Sequence, residues 1–194
     1  IELVSVPTYI LVALSRRDVR ASEAAVKYFF LGALSAALLA YGLGFLYGAS
    51  GTTSLVRMAA AWAPHLHATP IAAADTLTLI GLLLAFAGLS FKIAAVPFHA
   101  YVADVYEGAA SPVTALLGFV PKFAGFVALI RILETVHWQL PASVLWLIWI
   151  VGALTMTVGN VLGLLQTNVK RMLAYSSVAH SGYMLLALLV GPAL

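Results

Sequence analysis

The sequence predicts an all-α fold, a polytopic transmembrane helix bundle, and three observations carry that prediction. Of 194 residues, 63% are apolar and only 9% are Asp, Glu, Lys or Arg, against about 25% charged in a typical soluble domain. Mean hydropathy is +1.03, more apolar material than one small core can hide from water, so these residues must face a bilayer. They also fall in continuous runs, most of them close to the roughly 20 residues that cross a hydrocarbon core of about 30 Å. Continuous runs exclude an up-and-down barrel, which alternates residue by residue, and an open sheet would leave edge N–H and C=O groups unpaired in lipid.

The runs cover residues 1–15, 24–47, 76–103, 112–133, 143–165 and 173–190, giving six spans. The first reads as truncated, because the chain opens with Ile1-Glu2-Leu3-Val4, without Met or a charged leader, already inside an apolar run. That opening reads as the interior of a longer chain, and no signal peptide is expected there. Ser22 is placed to cap the second span, with Glu23 and Lys27 paired at i, i+4. In the connection 48–73, the stretch Thr52 to Trp62 is weakly amphipathic around Arg57 and predicts a helix lying at the interface. His65 and His67 follow; their spacing does not suit a helical i, i+4 ligand pair and no carboxylate is near, so a solvated loop is expected and no metal site. The run 76–103 would measure about 42 Å as one helix, too long for a straight crossing. Pro97 removes the hydrogen bond to the Ile93 carbonyl, which predicts a broken third helix. Pro112 opens the fourth span, and Pro121 inside it frees the Leu117 carbonyl and predicts a kink. Pro141 stands where the fifth span begins, and Asn168 is placed to cap the sixth.

Ten basic and seven acidic residues leave a net charge of +3. The basic residues are spread over loops rather than gathered in a patch, which points to membrane topology and away from nucleic acid. Loops after spans one, three and five hold Arg16, Arg17, Arg20, Lys170 and Arg171, whereas the other side holds Arg57 and Arg131. The positive-inside rule therefore puts the first set in the cytoplasm, in a cell membrane. Zero Cys excludes disulfides, thiolate nucleophiles, iron-sulfur clusters and Cys-based zinc sites.

Three ionisable residues lie far from both membrane edges. Lys122 is ten residues past Pro112, about 15 Å along a helix and near the midplane. Glu2 is thirteen residues before Ser15, about 20 Å in from the basic edge. Lys92 has no polar loop close enough for easy snorkelling. Each such charge at a helix centre costs about 2.5 to 3.5 kcal/mol, which makes an intramembrane ionisable group a functional candidate. A buried structural ion pair between Glu2 and a lysine is the alternative, although apolar replacements often serve stability as well. Pro121 beside Lys122, and Pro97 five residues after Lys92, add unpaired backbone acceptors at the same depth, where water or a polar partner is required. His180, about 18 Å into the sixth span, and His99 are each either a satisfied core histidine or a proton relay. A bis-histidine haem is disfavoured because neither span holds a second histidine. Asn160, Gln166 and Ser181 offer further polar sites. Tyr9-Ile10-Leu11-Val12-Ala13-Leu14 aligns without gaps with Tyr183-Met184-Leu185-Leu186-Ala187-Leu188, a faint trace of a repeat five spans apart, which would invert its second copy.

The string Phe91-Lys92-Ile93-Ala94-Ala95-Val96-Pro97-Phe98-His99, continuing to Asp104-Val105-Tyr106-Glu107-Gly108-Ala109 and Ser111-Pro112-Val113, resembles the antiporter-like membrane subunits of respiratory complex I. Ile1-Glu2-Leu3-Val4-Ser5, Ser22-Glu23-Ala24-Ala25-Val26-Lys27-Tyr28 and Asn168-Val169-Lys170-Arg171-Met172-Leu173-Ala174-Tyr175-Ser176-Ser177 with His180 are similar to the N-type branch of that family (subunit 2 in mitochondrial naming). The resemblance implies a fragment of a fourteen-helix antiporter-like fold with inverted five-helix repeats and a broken helix. Residues 1–135 would be most of the first repeat, four helices, and 136–194 the first two helices of the second. It puts the family's intramembrane glutamate on Glu2, its broken-helix lysine on Lys92 and its following-helix lysine on Lys122.

The function implied is proton translocation by Glu2, Lys92, Lys122 and His180 through internal water, as a membrane subunit of NADH:quinone oxidoreductase. Quinone reduction would occur elsewhere, and this chain itself would carry no redox chemistry, catalytic residue, cofactor or metal. The flavin and iron-sulfur clusters are expected in other subunits; the other membrane subunits and the bilayer are the expected partners. Desolvation disfavours an ammonium and a nearby carboxylate favours it, so moving Glu2 toward or away from Lys92 would load or release a proton. Two rivals are a subunit of a multi-subunit cation/proton antiporter, against which the Asp104–Ala109 string speaks, and a structural scaffold whose charges merely pair.

Overall fold

A computed structural model describes residues 2–15, 18–63 and 76–190. His65, His67, Arg16 and Arg17 lie outside the described residues, as does the side chain of Glu2. Among the described residues every regular element is a helix: α1 (Glu2–Leu14), α2 (Val19–Ser50), α3 (Leu55–Trp62), α4 (Thr76–Lys92), α5 (Val102–Gly108), α6 (Ser111–Thr135), α7 (Ala142–Leu164) and α8 (Val169–Leu188). Each of the six apolar runs coincides with one helix; α2, α6 and α7 are long and apolar enough to cross a membrane, and α1 and α4 are shorter apolar helices. Large apolar side chains such as Phe30, Leu34, Trp146 and Trp149 face outward, as a lipid-facing surface requires.

The caps follow the local chemistry. Asn168 accepts from Lys170 N at 2.9 Å and opens α8, and Pro112 occupies the first turn of α6, where its missing N–H costs nothing. The cap expected of Ser22 is instead made by Asp18, whose side chain accepts from Arg20 N, so α2 begins at Val19. Glu23 and Lys27 do pair, at 2.7 Å. The interfacial stretch is helical over Leu55–Trp62, opened by Ser54.

The third span is broken as expected, but the break falls at Lys92 rather than at Pro97. Helix α4 ends in a Schellman motif: Ala94 N donates to Phe91 O at 3.0 Å and Ala95 N to Ser90 O at 2.8 Å. These two bonds satisfy carbonyls orphaned at the helix end. Ala94 carries the left-handed conformation, φ 59°, a place usually filled by Gly because a Cβ crowds the following carbonyl there. Pro97 lies beyond this stop, in the irregular stretch before α5, so it does not interrupt a helix; the Val96–Pro97 bond is cis. Tyr101 Oη donates to Phe91 O at 2.9 Å and joins the two sides of the break. Pro121, by contrast, stands inside a continuous α6.

Two pairs of helices approach until backbones touch. A Cβ added at Gly88 would come 2.7 Å from Leu39 N, and one at Gly182 would come 2.7 Å from Met156 N, so α2 meets α4, and α7 meets α8, through small residues. Two apolar clusters fill the interior. One gathers Trp62, Phe86, Leu89, Leu133, Val136 and Ile148; the other gathers Tyr9, Tyr28, Phe91, Tyr101, Val105 and Val178.

Candidate functional site

The helix stop at Lys92 turns the last residue of α4 into the bundle, where it is 4% exposed. Its Nζ donates to Ser5 Oγ of α1. Lys92 Nζ lies 5.5 Å from the centroid of the Phe91 ring, which packs against Tyr28 and Tyr101, and Tyr9 meets Tyr28 edge-on at 4.6 Å. Thr8 Oγ1, one turn beyond Ser5, donates to Ser5 O at 2.7 Å. Lys92 therefore stands against the first turns of α1, the helix that begins with Glu2.

Lys122 is 7% exposed on α6, and α8 supplies its partners. Its Nζ donates to Ser177 O at 2.7 Å, to Ser177 Oγ at 2.5 Å and to Ser181 Oγ at 3.1 Å. All three are neutral oxygens, so among the described residues the ammonium is solvated but not neutralised. An ammonium has three donors, and three acceptors meet it. Lys122 also lines a cleft of about 380 Å³ with Phe119, Ser176, Ser177 and His180. His180 is exposed and its Nδ1 lies 2.7 Å from Ser176 O.

The two lysines share one helix contact. A Cβ added at Gly125 would come 3.1 Å from Lys92 Cβ, and Gly125 stands three residues after Lys122 on α6. The absent side chain lets the end of α4 lie against the turn that carries Lys122. Lys122 and His180 are thus brought together in one cleft, Lys92 is joined to α1, and Pro121 precedes Lys122 on α6. Pro97 is exposed and His99 half-buried in the break.

A charged cluster that the sequence reading did not foresee ties α2, α5 and α8 at one end of the bundle. Arg171 Nη1 reaches Asp104 Oδ1 at 2.7 Å and Glu107 Oε2 at 2.9 Å, and Lys27 Nζ reaches Asp104 Oδ2 at 2.7 Å. Arg20 approaches Glu107 at 3.4 Å. Burial pushes the Asp104 carboxyl up, but the hydrogen bonds from Lys27 and Arg171 outweigh it and hold the group below the usual range. The same contact with Asp104 raises Arg171. Loops after the first, third and fifth spans therefore share one end. Their signal was present as opposite charges in loops of equal parity. At the other end His137 Nε2 lies 3.2 Å from Ala59 O. Among the described residues no three His, Asp or Glu side chains gather as a metal-ligand set.

Residues 1–193 match the family model described as "NADH:quinone oxidoreductase/Mrp antiporter, TM". The NADH-quinone oxidoreductase subunit N of Trichlorobacter lovleyi is 45% identical over 193 residues, covering 100% of this chain and 39% of that protein. Subunit N of Myxococcus xanthus is 47% identical over 186 residues, with 95% and 35% covered. Among solved structures, a chain of respiratory complex I from Thermus thermophilus with bound aureothin is 39% identical at a TM-score of 0.79, covering 99% of this chain and 39% of that one. A chain of the Mrp complex from Dietzia, 23% identical at a TM-score of 0.82 over 97% of this chain and 34% of that one, shares the fold. The chain spans less than half the length of the relatives it matches. It belongs to the NADH:quinone oxidoreductase/Mrp antiporter transmembrane family.

Proposed function

We propose that this chain carries protons across the membrane as part of an N-type subunit of a proton-pumping NADH:quinone oxidoreductase. One observation carries the reading: among the described residues Lys122, buried mid-helix, is held by neutral oxygens. A permanent structural cation at that depth is costly and is ordinarily paired. A proton carrier needs the opposite arrangement, in which both the charged and the neutral amine are accommodated. The serine oxygens accept from an ammonium, and the Ser177 and Ser181 hydroxyls can rotate to donate to a neutral amine.

Lys92 is the preceding station. Its contact with Ser5 stands three residues from Glu2 on α1, and residues three apart share a helix face, which supports Glu2 as the carboxylate that stabilises the Lys92 ammonium when near it. A proton released from Lys92 would move through internal water past the Gly125 contact to Lys122, with His180 in the same cleft as the next acceptor. Residues 1–135 and 136–194 belong to successive inverted repeats in this reading, and the loops gathered around Asp104 face the cytoplasm. Electrons, flavin and iron-sulfur clusters belong to partner subunits.

The test is Lys122→Ala in the full-length subunit of the assembled complex. Proton translocation and coupled quinone reduction should fall at least about tenfold while assembly persists, because an apolar side chain is cheaper there than a charge. Wild-type pumping by the assembled variant would overturn the reading.

A further inference from the structure

Helix α5 is the short second half of the broken third span, and polar side chains of the α8 start hold it in place. Arg171 binds Asp104 and Glu107, Lys170 Nζ donates to Ala109 O at the end of α5 at 2.8 Å, and Asn168 Nδ2 donates to Glu107 Oε1 at 3.3 Å. Between the two carboxylates in sequence stands Tyr106, 6% exposed. Thr114 Oγ1 of α6 donates to its carbonyl at 3.3 Å, and a Cβ added at Gly118 would come 3.1 Å from its Oη. Gly118 stands four residues before Lys122 and lines the same cleft. The phenol tip therefore lies against the turn of α6 that leads to Lys122. Among the described residues its hydroxyl has no hydrogen bond of good geometry, while Ser177, the serine that receives Lys122, is within its reach. A buried phenol ordinarily finds a partner, so an uncommitted hydroxyl beside a ligand of Lys122 requires an explanation.

We infer that Tyr106 is a positioning residue for Lys122 that acts through the Ser177 hydroxyl. This rests on Lys122 as a proton carrier and deepens that reading, by naming the group that lets its serine partner change direction. A serine hydroxyl has one proton and two lone pairs, and a phenol can donate or accept. When Lys122 is an ammonium it donates to Ser177 Oγ, and the Ser177 proton turns away, to the phenol oxygen or to a carbonyl of its own helix. When Lys122 is a neutral amine, the Ser177 proton turns to Nζ and the phenol proton turns to Ser177 Oγ. Such a chain polarises the serine O–H toward the amine. The helix carbonyl can stand in for the phenol in the first state, but a carbonyl has no proton to give in the second. Tyr106 therefore favours the state in which the proton has left Lys122. Only hydroxyl protons rotate: the proton that leaves Nζ goes to water, no O–H bond of Tyr106 or Ser177 breaks, and no electrons change hands.

The test is Tyr106→Phe in the full-length subunit of the assembled complex, with the rate of proton translocation, relative to wild type, followed from mildly acidic to mildly basic pH. The variant removes the hydroxyl and keeps the ring, so assembly should persist. Translocation should fall about tenfold on the acidic side and approach wild type as pH rises, with the acid limb of the profile moved up by about one unit, the effect of one hydrogen bond. Lys92 at the end of α4, His180 on α8 and Glu2 at the start of α1 are the other titratable groups on the elements around Lys122, and all three stay in place. In a Ser177→Ala background Tyr106→Phe should change the rate by no more than about twofold, because groups that act through one another are non-additive. No loss in Tyr106→Phe, a loss of the same size at every pH, or an undiminished further loss in the Ser177→Ala background would overturn the positioning role. The two readings fail separately. Wild-type pumping by Lys122→Ala removes the carrier and this role with it, whereas an inactive Lys122→Ala beside a Tyr106→Phe loss that ignores pH removes the positioning role alone.

Discussion

Lys122 ends its side chain on serine oxygens, and Lys92 reaches a serine hydroxyl of α1. The lysines were legible in the sequence from depth alone, because a charge far from both edges of an apolar run has few bland explanations. Their serine partners were not. Serines are common on spans for close packing, and nothing in the spacing of Ser5 or Ser177 marks them as ligands of a lysine from 87 or 55 residues away. The proposed pairing of Glu2 with Lys92 makes a prediction at this scale. Glu2→Gln removes the carboxylate and should lower pumping more than Glu2→Asp, which keeps the charge and shortens the reach. The double variant Glu2→Gln, Lys92→Ala should be no worse than the more damaging single one, since groups that act as a unit are non-additive. Strictly additive losses in that cycle would separate the two residues.

The break in the third span shows how far an element can be read from sequence. A run of apolar residues too long for one crossing, with Pro97 in it, correctly announced a discontinuity but misplaced it. The helix stops at Lys92 because Ala94 adopts φ 59° and closes a Schellman motif, and Ala gives no signal for that conformation. Two substitutions separate the backbone from its surroundings. Ala94→Gly should be neutral or stabilising by about 1 kcal/mol, because it relieves a left-handed residue. Ala94→Val, with a branched Cβ in a position that is 0% exposed, should destabilise by more than that and disturb Lys92 function. Thermal denaturation of the assembled complex measures both, and equal stability of the Gly and Val variants would contradict the assigned conformation.

Helices α2, α5 and α8 depend on the Asp104 cluster in a pH-dependent way. The Asp104 carboxyl is lowered from its ordinary value of 3.8, so its contribution is fully present above that value and is lost only as pH falls below it. The stability gap between wild type and Asp104→Asn should therefore hold from neutral pH down to about 4 and narrow beneath it. A gap that closes between pH 7 and 5 would show that Asp104 is not held by Lys27 and Arg171.

Across the whole molecule, composition and run length sufficed for an all-helical membrane bundle with a helix in each apolar run, and the Phe91–His99 and Asp104–Ala109 strings sufficed for the family. The link between the third, fourth and sixth spans did not emerge from those patterns. It depends on Gly125 admitting the end of α4 to α6, and on α8 turning Ser177 and Ser181 toward α6, which are properties of the packed bundle. That arrangement puts a lysine with neutral partners beside an open cleft, and its proposed work requires the amine to lose and regain a proton. Lys122→Arg tests this requirement most directly, because a guanidinium keeps the charge and the donors but does not deprotonate in proteins. The adjoining cleft of about 380 Å³ has room for it. Measured as protons moved per electron in the assembled complex, Lys122→Arg should be as defective as Lys122→Ala. Pumping restored to the wild-type ratio by arginine would mean that Lys122 serves only as a fixed positive charge.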